Sequence, residues 1–505
     1  MKNLKFKYLC LLGLIVGAIW SCSEDFLEVE AKGQFLTDTY YSNQNEAFGG
    51  LVAVYDMLRT NSSGAFDNLI LLMNSGSDDH VAGGGGESDV LQLQVFSNYT
   101  MSATNASSSI WTDSYKGIFR ANILLSKLPD VPMDENLKAQ YTAEAKALRA
   151  YYYFNLIRLY KSIPLITEPL SSDAINSVVQ SSRENVYQQI ENDLISAKAA
   201  LPDFRDLSTE AGRFTKGAAQ ALLGKVYLYQ GKGSQAAAEL AVVNGPAGGT
   251  SQYGYRLLDD FNSLWMADNS FNSESIMEVT HSGLVNAAWD WAWPNGLEGN
   301  MVSQMVGPRS YVGIAADAPD LNSGWSFNPI LPELYNLLKD DPRFDATILD
   351  LKTLKEEGKA DYVPGYQDTG YFLKKFAALN ADKHTGGGNF ELNWGQNSYI
   401  IRLADTYLME AEALGGTGSR AQDLLDAVRA RVGLPSVPVS MDAIMKERRL
   451  ELAGEGQRWF DLVRSGQAAS KLSSRGFIAG KHEFFPIPFG ELENTSLQQD
   501  PSYSN

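Results

Sequence analysis

Trp289-Asp290-Trp291-Ala292-Trp293 places three indoles at alternate positions. In an extended segment, alternate side chains point to the same side, so this run would form an apolar shelf. Sugars present C–H faces that stack on aromatic planes and hydroxyls that pair with planar polar groups. The surrounding stretch also carries Trp265, Tyr311 and Trp325. Ligand contact is therefore predicted for Trp289, Trp291, Trp293, Tyr311 and Trp325. The competing reading is that these rings fill the core of their own segment. A second candidate is Asn-Ser-Gly-Ser-Asp-Asp-His at 74–80, where Asp78, Asp79 and His80 have the types that bind hydroxyls. Helix capping and a solvated turn are the alternative there.

Signatures of catalysis are missing. The four histidines, His80, His281, His384 and His482, are scattered, with no His-Glu-x-x-His. There is no Gly-x-Ser-x-Gly elbow. Gly83–Gly86 is followed by Glu87 rather than Lys-Ser/Thr, so it is no phosphate loop. The acidic and glycine residues at 83–89 match no EF-hand, and neither a metal nor a cofactor is expected. A glycoside hydrolase would need two carboxylates roughly 5–10 Å apart, with Asp78 and Asp79 the first suspects. The expectation is a protein that binds and does not catalyse.

Lys446–Arg464 is the most densely charged stretch, with nine charged residues in nineteen, yet it includes Leu450, Leu452, Trp459, Phe460, Leu462 and Val463. Met441, Ile444, Met445, Arg448 and Leu452 fall at helical spacing. Gly454 and Gly456 end that helix, and a second starts near Gln457. Charges interleaved with a Trp-Phe pair do not suit a solvated face. Arg448, Glu451, Glu455 and Arg458 are read as paired and partly buried where two helices meet. Catalysis by Glu447, Glu451 or Glu455 is the alternative.

The elements that must position these residues are mostly helices. Apolar periodicity predicts helices over 46–59, 66–73, 111–128, 136–160, 183–200, 215–230, 234–243, 331–339, 402–414, 420–432 and 441–452. Strands are expected at 90–96 and 276–280, and an extended piece at 484–488. Two long irregular insertions, around 76–109 and 245–329, interrupt the helices, and loops of that length usually carry function. Leu148-x3-Tyr152, Leu223-x3-Tyr227 and Leu403-x3-Tyr407 each open a helix pair. Ala236, Leu240 and Val243 follow the second, and Ala421, Leu425 and Val428 the third, at tetratricopeptide-like spacing.

Composition sets the partners. The 505 residues are 44% hydrophobic and 20% charged, an ordinary globular balance. Net charge is −18, which repels phosphate backbones and excludes nucleic acid as a natural partner. Lys2, Lys5 and Lys7 precede a short apolar run, 8–20, and then Ser21-Cys22. This resembles a bacterial lipoprotein signal, with residues 1–21 removed and Cys22 acylated. Several acyl chains anchor a protein stably. An ordinary secretory signal with an incidental Cys is the alternative. Cys10 is the only other cysteine, so the mature chain would hold no disulfide. Ser23-Glu24-Asp25 resembles the surface-export signal of Bacteroidetes lipoproteins, or else is a plain solvated tether.

Several segments in order resemble the SusD/RagB family of outer-membrane nutrient-binding lipoproteins. They are Trp111-x3-Tyr115-x2-Ile118-x2-Ala121-Asn122, the run 143–154 ending Tyr151-Tyr152-Tyr153-Phe154, and Arg213-Phe214-Thr215-Lys216-Gly217. Asp341-Pro342-Arg343, Ile401-Arg402-Leu403-Ala404-Asp405 and the 447–464 block follow, then the tail from Pro486 to Pro501. Asp500 and Ser502 stand where the family's tail usually has Asn and Gly. The resemblance implies one SusD-like domain over 22–505: mostly α, tetratricopeptide-like helix pairs, long irregular insertions and a few short strands. It also implies a cell-surface protein on the outer membrane that acts as a hinged lid. Such a lid captures a glycan, or in some members a peptide, for a SusC-like TonB-dependent transporter. A surface glycan hydrolase is the more distant alternative.

Overall fold

A computed structural model describes residues 40–290 and 297–504. Its first helices are α1 (Gln44–Arg59), α2 (Leu69–Ser75), α3 (Leu91–Ser97), α4 (Ser109–Lys127) and α5 (Glu135–Leu159). Next come α6 (Arg183–Ala200), α7 (Lys216–Tyr229) and α8 (Gly233–Asn244). The irregular region contains β1 (Ser275–Val279), α9 (Met301–Val306), α10 (Pro332–Leu338) and β2 (Ser398–Arg402). Then α11 (Leu403–Ala413), α12 (Gly418–Arg431), α13 (Met441–Glu451) and α14 (Arg458–Arg464) follow. The strands among the described residues form four two-stranded antiparallel sheets. This is the mostly helical architecture with a few short strands that the sequence predicts.

Helix starts are marked by side-chain caps. Asn43, Asn68, Asp134, Ser182, Thr215 and Ser440 each accept a first-turn amide, worth about 1 kcal/mol apiece. Pairing then depends on small residues. A Cβ at Gly224 of α7 would lie 2.6 Å from Leu240 Cγ of α8. A Cβ at Gly117 of α4 would lie 2.4 Å from Tyr152 Cε2 of α5. These contacts let the helices approach closely. The repeat positions Ala236, Leu240, Val243, Ala421, Leu425 and Val428 are all fully buried.

One expected strand is a helix. Residues 90–96 alternate enough to suggest a strand, but Leu91–Ser97 is helical, entered through Val90 in the left-handed region at φ 44°. The side chains of 93–97 are buried consecutively rather than alternately. A short apolar run of this kind does not distinguish the two by periodicity. The other expected strand, at 276–280, is β1, paired antiparallel with β2 from Ser275↔Arg402 to Val279↔Ser398.

The charged block forms a helical corner. Gly454 and Gly456 turn the chain between α13 and α14 with φ of 78° and 72°. A Cβ at Gly454 would lie 2.3 Å from Leu373 Cδ1, so the turn is closed to larger residues. Asn74 clamps it, donating to Gly454 O at 2.8 Å and accepting from Gly456 N at 3.1 Å. Beneath lies a buried ionic lattice. Arg402 bonds Glu274, Glu451 and Glu455. Arg343 bonds Asp341, Glu447 and Glu451. Arg431 reaches Glu274 and Glu451, Arg429 reaches Glu447, and Lys375 reaches Glu455. A neighbouring cluster joins Arg448 to Asp405 and Asp461, Lys225 to Asp405, and Arg464 to Asp461 and Glu412. The charges are paired and buried where helices meet, which is the expected structural role for Arg448, Glu451 and Glu455.

Candidate functional site

Trp325 is fixed by its backbone. Gly324 lies against Gly307 so closely that a Cβ would fall 2.4 Å from Gly307 Cα. The chain from 324 to 327 then runs along the end of α9. Trp325 N donates to Gln304 O at 3.1 Å, Ser326 N to Gly307 O at 2.7 Å and Phe327 N to Met305 O at 2.8 Å. Gln304 is buried, accepts from Trp394 Nε1 at 3.0 Å and donates to Ser323 O at 3.1 Å. The indole of Trp325 is left half-buried at the surface.

Trp289 arrives on a different loop. Ala287 is pinned in both directions by Asn393, which accepts from Ala287 N at 2.9 Å and donates to Ala287 O at 2.8 Å. Asn389 N donates to the same carbonyl at 2.8 Å, and Asn389 Oδ1 accepts from Trp289 N at 3.2 Å. Gly388 passes so near that a Cβ would lie 2.3 Å from Asn286 O. The indole that this loop presents is 47% exposed.

A third ring meets the two indoles. Phe66 lies in the turn before α2, which is held by Asp67 accepting from Ser107 and Ser109 and by Asn68 donating to Ala65 O at 2.7 Å. The ring centroids lie 5.9 Å apart for Trp289–Trp325, 6.3 Å for Phe66–Trp289 and 5.8 Å for Phe66–Trp325. The indole planes are inclined by 32°, and with Phe66 the two form one aromatic cluster. His281 ties this base together. Its Nδ1 donates to Glu298 O at 3.1 Å, and its Nε2 lies 2.7 Å from Ser63 Oγ, just before the Phe66 turn. Burial, aided by Arg59, lowers its pKa to about 3, so the ring is neutral and the bonds persist at ordinary pH.

The rim is polar. Arg309 Nε donates to Trp325 O at 3.2 Å, and its Nη2 lies 3.3 Å from Asp89 Oδ2. His384 Nε2 lies 2.8 Å from Asn286 Oδ1, beside the Trp289 loop. An exposed aromatic surface with hydrogen-bonding groups at its edge suits a ligand that has both apolar faces and hydroxyls. Among the described residues, no group of three or more His, Cys, Asp or Glu is placed to hold a metal ion.

The structure separates the residues singled out from sequence. Trp289 and Trp325 come together. Trp291, Trp293 and Cys22 lie outside the described residues. Tyr311 lies away from Trp289 and Trp325: it is only 8% exposed, its hydroxyl donates to Pro319 O at 2.6 Å, and its ring packs with Leu321, Leu349 and Phe372. Trp265 is partly buried and packs on Phe261, Phe376 and Tyr399, with Lys375 Nζ 4.6 Å from its ring centroid. Asp78 and Asp79 are paired with arginines. Arg458 binds Asp78 through two bonds of 2.7 and 2.8 Å, and Arg449 binds Asp79 at 2.7 Å. These ion pairs hold the loop onto the helical corner. Burial raises and Arg458 and Arg449 lower the Asp78 pKa, and the net shift is down. Phe66 was missed because it reads in sequence as the start of a helical apolar run, and only the Asp67-Asn68 capping pair after it hints at a turn.

Comparison with known proteins bears on both the scaffold and the surface. Residues 335–481 match the family model described as the SusD family, and residues 65–228 match one described as starch-binding associating with outer membrane. SusD-like protein P38 from Formosa agariphila is 25% identical, with 99% of each chain covered. A solved structure named a laminarin binding SusD-like protein is 60% identical, with a TM-score of 0.90 over 92% of this chain and 100% of that one. Surface glycan-binding protein A from Bacteroides thetaiotaomicron, solved in complex with laminarihexaose, is 25% identical, with a TM-score of 0.79 over 91% of this chain and 99% of that one. Identity of 60% over 92% of the chain shows that the chain belongs to the SusD family.

Proposed function

We propose that this protein is a cell-surface lipoprotein, anchored through Cys22 in the outer membrane, that captures a laminarin-type glucan and passes it unchanged to a SusC-like TonB-dependent transporter. The aromatic surface of Phe66, Trp289 and Trp325 carries the reading. It is a partly exposed ring cluster in a chain 60% identical to a solved protein named a laminarin binding SusD-like protein. Stacking against sugar C–H faces supplies affinity, and the polar rim selects hydroxyl positions. Trp291 and Trp293, two and four residues beyond Trp289 in the sequence, are further ligand contacts in this proposal.

Calorimetric titration of residues 23–505 with laminarin should give a saturable isotherm, and chromatography of the mixture should show laminarin of unchanged length. Shortened products would sink the binding-only reading and favour hydrolysis. An isotherm with peptides and none with glucans would move the ligand to the peptide class. The anchoring and delivery steps have a separate test. The full-length protein should partition with the outer membrane and bring down a large barrel protein on mild detergent extraction, while Cys22→Ser should leave the membrane fraction. Recovery of Cys22→Ser in the membrane at the wild-type level would refute the anchor.

A further inference from the structure

We infer that Arg309 and Asp89 are a specificity-determining pair that together grip one sugar hydroxyl beside Trp325. This rests on the reading of Phe66, Trp289 and Trp325 as the glycan surface. Arg309 is held in three places: its backbone N–H donates to Ser326 Oγ at 3.0 Å, its Nε to Trp325 O at 3.2 Å, and its Nη2 to Asp89 Oδ2 at 3.3 Å. Asp89 Oδ2 also accepts from Gly85 N at 2.7 Å. Among the described residues, Arg309 Nη1 and Asp89 Oδ1 have no bonded partner. The two side chains are 36% and 37% exposed, so those free atoms can meet a ligand.

The loop that brings the pair together is unusual in what it demands. Gly83 and Gly84 adopt φ of 71° and 87°, a region that side chains disfavour. A Cβ at Gly84 would lie 2.6 Å from Phe327 Cε1, and one at Gly85 would lie 2.8 Å from Arg309 Nη2 and 3.0 Å from Asp89 Oδ2. The glycine run therefore admits the guanidinium and carboxylate into one small space. An ion pair exposed to this extent contributes little to folding, so stability does not account for the arrangement. Recognition does. A hydroxyl both donates and accepts: it can accept from Arg309 Nη1 and donate to Asp89 Oδ1. Both bonds are charge-assisted and stronger than neutral ones. Because Arg309 is bonded to the carbonyl of Trp325, that hydroxyl belongs to a ring seated on or next to the Trp325 indole.

Titration of laminarihexaose into Asp89→Ala and Arg309→Ala tests this. Each should weaken binding by about tenfold or more, and the double variant should lose little beyond the worse single one, since both groups serve one hydroxyl. Asp89→Ala leaves the Arg309–Trp325 bond in place, so its loss of affinity should come with an unshifted tryptophan emission maximum and melting temperature. Asp89→Ala binding within twofold of wild type, or losses that multiply in the double variant, would overturn the shared-hydroxyl assignment alone. A wild-type protein that binds no laminarihexaose would overturn the glycan-surface reading and this inference with it.

Discussion

Trp325→Ala should weaken laminarin binding by about 2–3 kcal/mol, roughly 30- to 150-fold in Kd. Its indole is more buried than that of Trp289 and contacts both Phe66 and Trp289. Its removal deletes one stacking plane, while Phe66 and Trp289 keep their own contact. Trp289→Ala should cost less, about 1–2 kcal/mol, because that ring stands at the exposed edge and central residues dominate binding energy. Tyr311→Phe is the contrasting variant. It removes only the bond to Pro319 O, so it should lower stability by about 1 kcal/mol and leave the isotherm untouched. Calorimetry with all three, alongside circular dichroism to verify folding, decides the matter. A Trp325→Ala protein that binds within twofold of wild type would remove the aromatic surface from the mechanism.

The sequence made the scaffold legible and the site only partly so, for a physical reason. Helix faces repeat every three or four residues, so Leu223, Tyr227, Ala236 and Leu240 declare a packed pair locally. The aromatic surface has no such local rule. Trp289 and Trp325 meet because Gly324 packs on Gly307 and because Asn393 and Asn389 pin the preceding loop. Phe66 joins from a turn more than two hundred residues earlier in the chain. Composition could nominate the aromatics as a dense set, but it could not separate Trp289 and Trp325, which meet, from Trp265, which packs on Phe376 and Tyr399, and the buried Tyr311. Asp78 and Asp79 show the same limit for charge. Their partners Arg458 and Arg449 are some 370 to 380 positions away, and an acidic pair in a loop looks identical whether it faces solvent or an arginine.

Glu451→Gln should destabilise the fold by about 3–5 kcal/mol while leaving the glycan surface chemically intact. Glu451 is fully buried and bonded to Arg343, Arg402 and Arg431. Its lattice sets the cations Arg343, Arg402, Arg431, Arg429 and Lys375 against the anions Asp341, Glu274, Glu447, Glu451 and Glu455. The balance is five to five, so loss of one carboxylate leaves an uncompensated positive charge in the interior. Burial alone would raise the Glu451 pKa, but Arg431, Arg402 and Arg343 overcome it and hold the carboxyl well below the usual range. A folded pKa below the unfolded value means that this group's stabilisation is complete above about pH 4.5 and is lost as pH falls through the folded pKa. Urea unfolding at pH 7 should therefore show the full loss for Glu451→Gln, and the gap from wild type should narrow toward acid. Removal of the exposed Lys359–Asp317 pair, whose side chains are 37% and 66% exposed, should leave the unfolding midpoint close to wild type. A Glu451→Gln midpoint equal to wild type at pH 7 would mean that the lattice tolerates a stray buried charge, and the helical corner would then owe its rigidity to Trp459, Phe460 and Leu462 instead.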